Sequence, residues 1–222
     1  RKERKSVDRG DIESREAFVK RNIAWWRKNE DSERKTRKAY YQEFWDRRDI
    51  LRFCRPDMVV GEVGPGPFGG ILEVLGVKAQ KKVFIDYIME ELRDLHFIKW
   101  PDNSLFVNDP FEKVQLADRY CDLLLSYNAL DHGWSVKDGL RECLRISKVC
   151  VLSFDCRADD LRQLDKVDMD HFTKVGIHQA STWVFEIAES YHKLCEVYYV
   201  KKKRANGKYK TFWTMEVVAR DA

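Results

Sequence analysis

The chain has 222 residues, of which 44% are hydrophobic and 13% aromatic, enough for one sizeable core and too apolar for a disordered chain. No run approaches the roughly 18 apolar residues of a membrane span, and the first twenty residues carry charge where a signal peptide has an apolar core, so a cytoplasmic protein with no membrane association is expected. The six cysteines form no CxxC pair, which argues against a zinc knuckle or a dense disulfide framework, and no metal site is expected. The formal charge of +4 is unevenly placed: residues 1–52 hold 17 Lys/Arg against 11 Asp/Glu, and the rest of the chain 24 against 26. Such a bias can meet nucleic acid, but acids interleaved among the bases favour a solvated helical face with i,i+4 pairs.

From Ile12 to Phe53 there is neither proline nor glycine. Phe18, Ile23, Trp26, Tyr40, Phe44 and Trp45 recur there at roughly helical spacing, which predicts two helices in an arm or lid spanning residues 1–55. Arg55-Pro56-Asp57 ends the pattern, and Met58-Val59-Val60 opens a short strand that runs into the glycine cluster of residues 61–70. A helix is expected from Gly70 to Leu75, a strand over Lys82–Ile85, a helix over Ile88–Leu95 and a strand over Leu105–Val107. Cys121–Tyr127 and Val149–Phe154 read as further strands, with an amphipathic helix from Lys137 to Ile146 between them. A helix over Ser181–Tyr191 precedes two β-rich runs, Cys195–Val200 and Tyr209–Val218, and Asn206-Gly207 between them is a strong hairpin signal. Alternating strands and helices predict an α/β domain over residues 56–222, a mostly parallel seven-stranded sheet with helices on both faces and an antiparallel C-terminal hairpin.

The glycine cluster carries chemistry. A strand followed by Gly61-Glu62-Val63-Gly64-Pro65-Gly66-Pro67-Phe68-Gly69-Gly70 and a helix sets a bare backbone turn at the carboxyl end of the first strand, where a ligand can lie against the main chain. A carboxylate beside that turn repels pyrophosphate but suits the ammonium of an amino-acid-like ligand. Asp86, ending the second strand in VFIDY, stands at the distance expected of an acid that accepts hydrogen bonds from ribose hydroxyls. Trp25, Trp26, Tyr40, Tyr41 and Trp45 could stack on a flat acceptor or on bases, although aromatics at helical spacing more often pack a core or lid.

EVGPGPFGG resembles motif I of the class I S-adenosylmethionine-dependent methyltransferases, and further matches follow in order over about residues 40–155. The family has glycine where Phe68 stands. The resemblance implies S-adenosylmethionine as cofactor, with S-adenosylhomocysteine as product. It implies that Glu62, Gly64, Pro65 and Gly66 form the turn over the cofactor, that Asp86 fixes the ribose, and that Tyr87 and Ile88 cover one adenine face. Asn108-Asp109-Pro110-Phe111 is similar to the segment reading the adenine edge, with Asp109 accepting from the exocyclic amine beside Pro110 and Phe111. CDLLLSYNALDHGWSVKDGLRECLRIS, residues 121–147, is similar to the family's fourth strand, loop and helix. It implies that Ser126, Tyr127, Asn128 and Ala129 lie along the methionine part, and that Asp131, His132 and Trp134 face the acceptor, His132 as a candidate general base. His171 stands where related small-molecule enzymes carry a histidine in an acceptor loop. The expected reaction is methyl transfer to oxygen or nitrogen of a small-molecule acceptor. The alternatives are a methyltransferase acting on RNA, DNA or protein, and a cofactor-binding subunit without catalysis. Against nucleobase amines, Asn128-Ala129-Leu130-Asp131 replaces the Pro-Pro-aromatic tetrad those enzymes show.

Overall fold

A computed structural model of the chain describes residues 15–157, 177–201 and 212–222. Seven strands form one sheet: β1 (Val59–Val63), β2 (Lys81–Ile85), β3 (Ser104–Val107), β4 (Cys121–Tyr127), β5 (Ser147–Arg157), β6 (Lys193–Lys201) and β7 (Phe212–Asp221). Their order is β3-β2-β1-β4-β5-β7-β6, with β1 to β5 mutually parallel and β7 antiparallel to both of its neighbours. This is the expected sheet. The turn signal at Asn206-Gly207 lies outside the described residues.

Strand alternation builds two cores, because successive side chains leave opposite faces of a sheet. Val63, Val83, Ile85, Leu124, Leu152 and Met215 pack on one face with α4 (Val136–Ile146) and α5 (Ile177–Ser190). Val60, Phe84, Leu123, Leu125 and Val151 pack on the other with α1 (Arg15–Arg47), α2 (Gly70–Val74) and α3 (Met89–Arg93). Ser135 caps α4, its hydroxyl accepting from Asp138 N–H at 3.2 Å.

The N-terminal segment differs from expectation. Residues 15–47 form a single 33-residue helix, about 50 Å long at the α-helical rise, where two helices were expected. The reason is the absence of any breaker, reinforced by the i,i+4 pairs Glu30–Arg34, Glu33–Arg37 and Glu43–Arg47. The chain turns only at Asp49, which adopts a left-handed φ of 46°, before a 3-10 turn at Ile50–Phe53. Tyr41, Phe44 and Ile50 are buried in the same core as Val60 and Phe84, so the end of α1 is built into the sheet's packing. The same end is clamped electrostatically: Glu216 on β7, fully buried, accepts from Arg47 Nε at 3.1 Å through both oxygens and also from Arg48 Nε. No helix among the described residues is long and apolar enough to cross a membrane.

Candidate functional site

Parallel strands leave their carboxyl ends on one edge, and a crevice there is the usual ligand site of such sheets. A cavity of about 480 Å³ opens at that edge, within the size range of small-molecule sites. Its floor comes from the segments following β1, β2, β3 and β4: Gly64 and Gly66; Asp86, Tyr87 and Ile88; Pro110, Phe111 and Glu112; Asn128, Ala129, His132, Gly133 and Trp134. Its roof is α1, through Phe18, Arg21, Asn22, Trp25, Trp26, Glu33 and Arg37.

The glycines of the turn are required by contact. Gly64 has φ of 68°, and a Cβ there would lie 2.2 Å from that of Ala129; a Cβ on Gly66, φ 62°, would press on the Trp26 ring at 3.0 Å. The turn therefore brings the β4 loop and α1 against bare backbone. Phe68, standing where the family has glycine, is buried. It stacks on Phe97 with centroids 5.2 Å apart and meets Trp26 edge-on, with the Arg34 guanidinium 4.8 Å over its ring. Arg34 also donates to the Phe97 carbonyl at 2.8 Å. Phe68 thus ties α1 to the turn, and the two glycines that follow it, with φ of 77° and 59°, supply the backbone freedom that the loop needs.

Glu62 is placed differently from expectation. β1 extends through residue 63, so Glu62 is a central-strand residue paired with Phe84 and Leu125 rather than the first residue of a turn. Its buried carboxylate accepts from the amides of Ile71 at 2.8 Å and Leu72 at 3.1 Å, capping α2, and it does not line the cavity. Burial pushes its carboxyl up to about 8, against the pull of those two amides and of Arg37.

Three further expected cofactor residues sit beside the cavity rather than on its wall. Asp109 accepts from Gln115 N–H at 2.8 Å, which closes its own loop. The Tyr127 ring packs against Tyr41 and Phe44 on the core side of α1. Pro65 is buried within the turn. Ser126 is buried too, its hydroxyl donating to the Val63 carbonyl at 3.2 Å.

Asp86 is on the wall, with its carboxylate accepting from Ile88 N–H at 3.1 Å. Burial raises it to about 6, partly offset by that amide. Because this is above the unfolded value of 3.8, the native state takes up the proton first, and the group's contribution to stability falls as pH rises from about 3.8 to 6.

His132 lies on the wall with its side chain 38% exposed; its Nε2 is 3.9 Å from the buried Asp131 carboxylate and 3.5 Å from Asn128 Nδ2. Asp131 itself is beneath the wall. His171 lies outside the described residues. Among the described residues no group of three or more His, Cys, Asp or Glu could hold a metal ion.

Two polar atoms of wall residues are buried without a hydrogen-bond partner: Arg37 Nε, a donor, and Asn128 Oδ1, an acceptor. Buried polar atoms are normally satisfied, so this donor on a roof residue and this acceptor on a floor residue stand out. Arg37 otherwise pairs with Glu33 at 2.7 Å, donates to the Tyr41 hydroxyl, and lies 4.5 Å over the Trp26 ring. The roof residues Arg21, Asn22, Glu33 and Arg37, together with Glu112, have no motif to announce them. The aromatic run around Trp25 and Trp26 was the one visible signal.

The sequence matches no protein-family model, and no curated protein is significantly similar to it. Solved structures are similar in fold. The YcgJ protein of Bacillus subtilis superposes with a TM-score of 0.60 at 14% identity, over 82% of this chain and 99% of that one. A protein assigned as a sarcosine dimethylglycine methyltransferase from Galdieria sulphuraria gives 0.62 at 10% identity, over 82% and 86% of the two chains. The [4+2]-cyclase SpnF gives 0.61 at 10% identity, over 83% and 81%. The chain has the Rossmann-like fold of the class I methyltransferases, an architecture that also houses a cyclase, so the reaction must be argued from the site.

Proposed function

We propose that the protein is an S-adenosylmethionine-dependent methyltransferase acting on oxygen or nitrogen of a small molecule. The observation carrying this is the pair of unsatisfied atoms, Arg37 Nε and Asn128 Oδ1, on a cavity that also holds Asp86 and the bare turn at Gly64 and Gly66. An α-amino acid presents a carboxylate to the first and an ammonium to the second, and Asp86 accepts from ribose hydroxyls. A dinucleotide presents neither amino-acid group. When bound, the cofactor supplies a methyl already activated by its sulfonium, so the chain's tasks are to align, to exclude water and to remove a proton. Tyr87, Ile88 and Phe111 form apolar walls for the adenine, α1 shields the site, and His132, oriented by Asp131 and Asn128, takes the acceptor's proton.

The α1 roof favours small acceptors over polymers, because a polynucleotide would have to displace Trp26 from the turn. Calorimetric titration with S-adenosylhomocysteine tests the cofactor, and mass spectrometry of S-adenosylmethionine turnover with candidate acceptors tests the reaction. Absence of S-adenosylhomocysteine binding would falsify the assignment. Tight RNA or DNA binding at low salt would instead move the acceptor to nucleic acid.

A pH dependence follows from Asp86. Only the ionised carboxylate accepts two hydroxyls, so with its carboxyl at about 6 S-adenosylhomocysteine affinity should fall by up to about tenfold from pH 7 to pH 5. In Asp86→Asn the affinity should be lower at pH 7 and flat across this range. A wild-type profile that is also flat would remove Asp86 from the ribose.

A further inference from the structure

We propose that the acceptor is a flat conjugated ring bearing an ionisable hydroxyl, held between the indoles of Trp25 and Trp134. The proposal rests on the methyltransferase reading and adds the class of molecule that receives the methyl.

Trp25 on α1 and Trp134 after β4 line the same cavity yet remain 45% and 46% exposed. Large exposed rings on a cavity wall mark surface that a ligand covers, since burying such area is favourable. Both indoles are braced. Trp134 donates its backbone N–H to Glu112 Oε1 at 2.6 Å, and its ring meets that of Tyr87 at 4.9 Å and 78°. Tyr87 in turn meets Phe18 edge-on at 5.9 Å. Trp25 meets Trp26 at 4.8 Å and 85°. Rings fixed in this way present faces for stacking at little entropic cost.

The charges on the wall decide between a ring and an amine. Glu33 pairs with Arg37, Asp86 accepts from Ile88 N–H, and Glu112 accepts from both Trp134 and Ser135 N–H. Each carboxylate on the wall thus already has a cation or amide donor, which weakens its hold on an acceptor ammonium. The imidazole of His132, on the wall and 38% exposed, is placed to accept the hydroxyl proton. In the step this implies, the acceptor oxygen bonds to the methyl carbon as the carbon–sulfur bond breaks. The bonding pair stays on sulfur, giving the neutral thioether, and the hydroxyl proton passes to His132.

The test uses the full chain saturated with S-adenosylhomocysteine and three probes: 2-naphthol, decahydro-2-naphthol and dimethylglycine, followed by calorimetry. We expect 2-naphthol to bind about tenfold more tightly than its saturated counterpart, as ring stacking requires, and dimethylglycine to bind more weakly than either. Trp25→Leu and Trp134→Leu should each remove most of the preference for the aromatic ring, with thermal melting confirming the fold and S-adenosylhomocysteine affinity little changed. Equal affinity for the two ring systems, a preference for dimethylglycine, or leucine variants that keep the aromatic preference would each overturn the proposal. Because S-adenosylhomocysteine is titrated separately, failure of the cofactor reading is seen as loss of that binding alone.

Discussion

Glu216→Ala should destabilise the fold by about 3 kcal/mol, because removing one partner of a buried ion pair leaves the other charge uncompensated. The carboxylate is fully buried on β7 and is the shared acceptor of Arg47 and Arg48, which are 26% and 9% exposed. The Arg48 guanidinium also lies 3.7 Å over the Tyr198 ring, so it cannot swing into water without giving up that contact. Urea denaturation should show a lower midpoint with an unchanged slope. Glu216→Gln, which preserves shape, should fall between the alanine variant and the wild type. A loss below about 1 kcal/mol for alanine would mean that the cluster behaves as a solvated surface pair.

The second large effect concerns the cofactor. Arg37→Gln should weaken S-adenosylhomocysteine by about tenfold to a hundredfold, the worth of one charge-assisted hydrogen bond. Binding of 5′-methylthioadenosine, which keeps the nucleoside and sulfur but lacks the amino-acid end, should be almost unaffected. The difference between the two ligands is the informative quantity. Arg37 also braces Trp26 and Tyr41, and an equal loss for both ligands would identify it as a support for the roof rather than a ligand of the carboxylate.

Local patterns account for much that could be read before any coordinates. Gly64, Gly66, Asp86 and Asn128 each sit at the carboxyl end of a strand marked by an apolar run, and the cavity collects all four. The sheet order follows from alternating elements and the final β-rich pair. What escaped depends on partners distant in sequence. Glu62 caps α2 because β1 continues three residues into the glycine cluster, a continuation stabilised by pairing with β2 and β4. The sequence presents Phe68 as a departure from a motif, while its fold role comes from Phe97 and Trp26. Aromatic spacing in α1 indicated a buried stripe, but the residues facing the cavity follow from the angle at which one unbroken helix crosses the sheet edge, which periodicity does not encode.

The attachment of α1 is unequal along its length. Near its C-terminal end it has Phe44 in the core and two arginines on Glu216; towards its N-terminal end it rests on the site through Trp26 and Phe18. The helix is thus rooted at one end and covers the cavity with the other. Substitutions near the root register as loss of equilibrium stability, whereas shortening Trp26 should appear mainly as faster ligand dissociation, which stopped-flow displacement would resolve from a change in association rate.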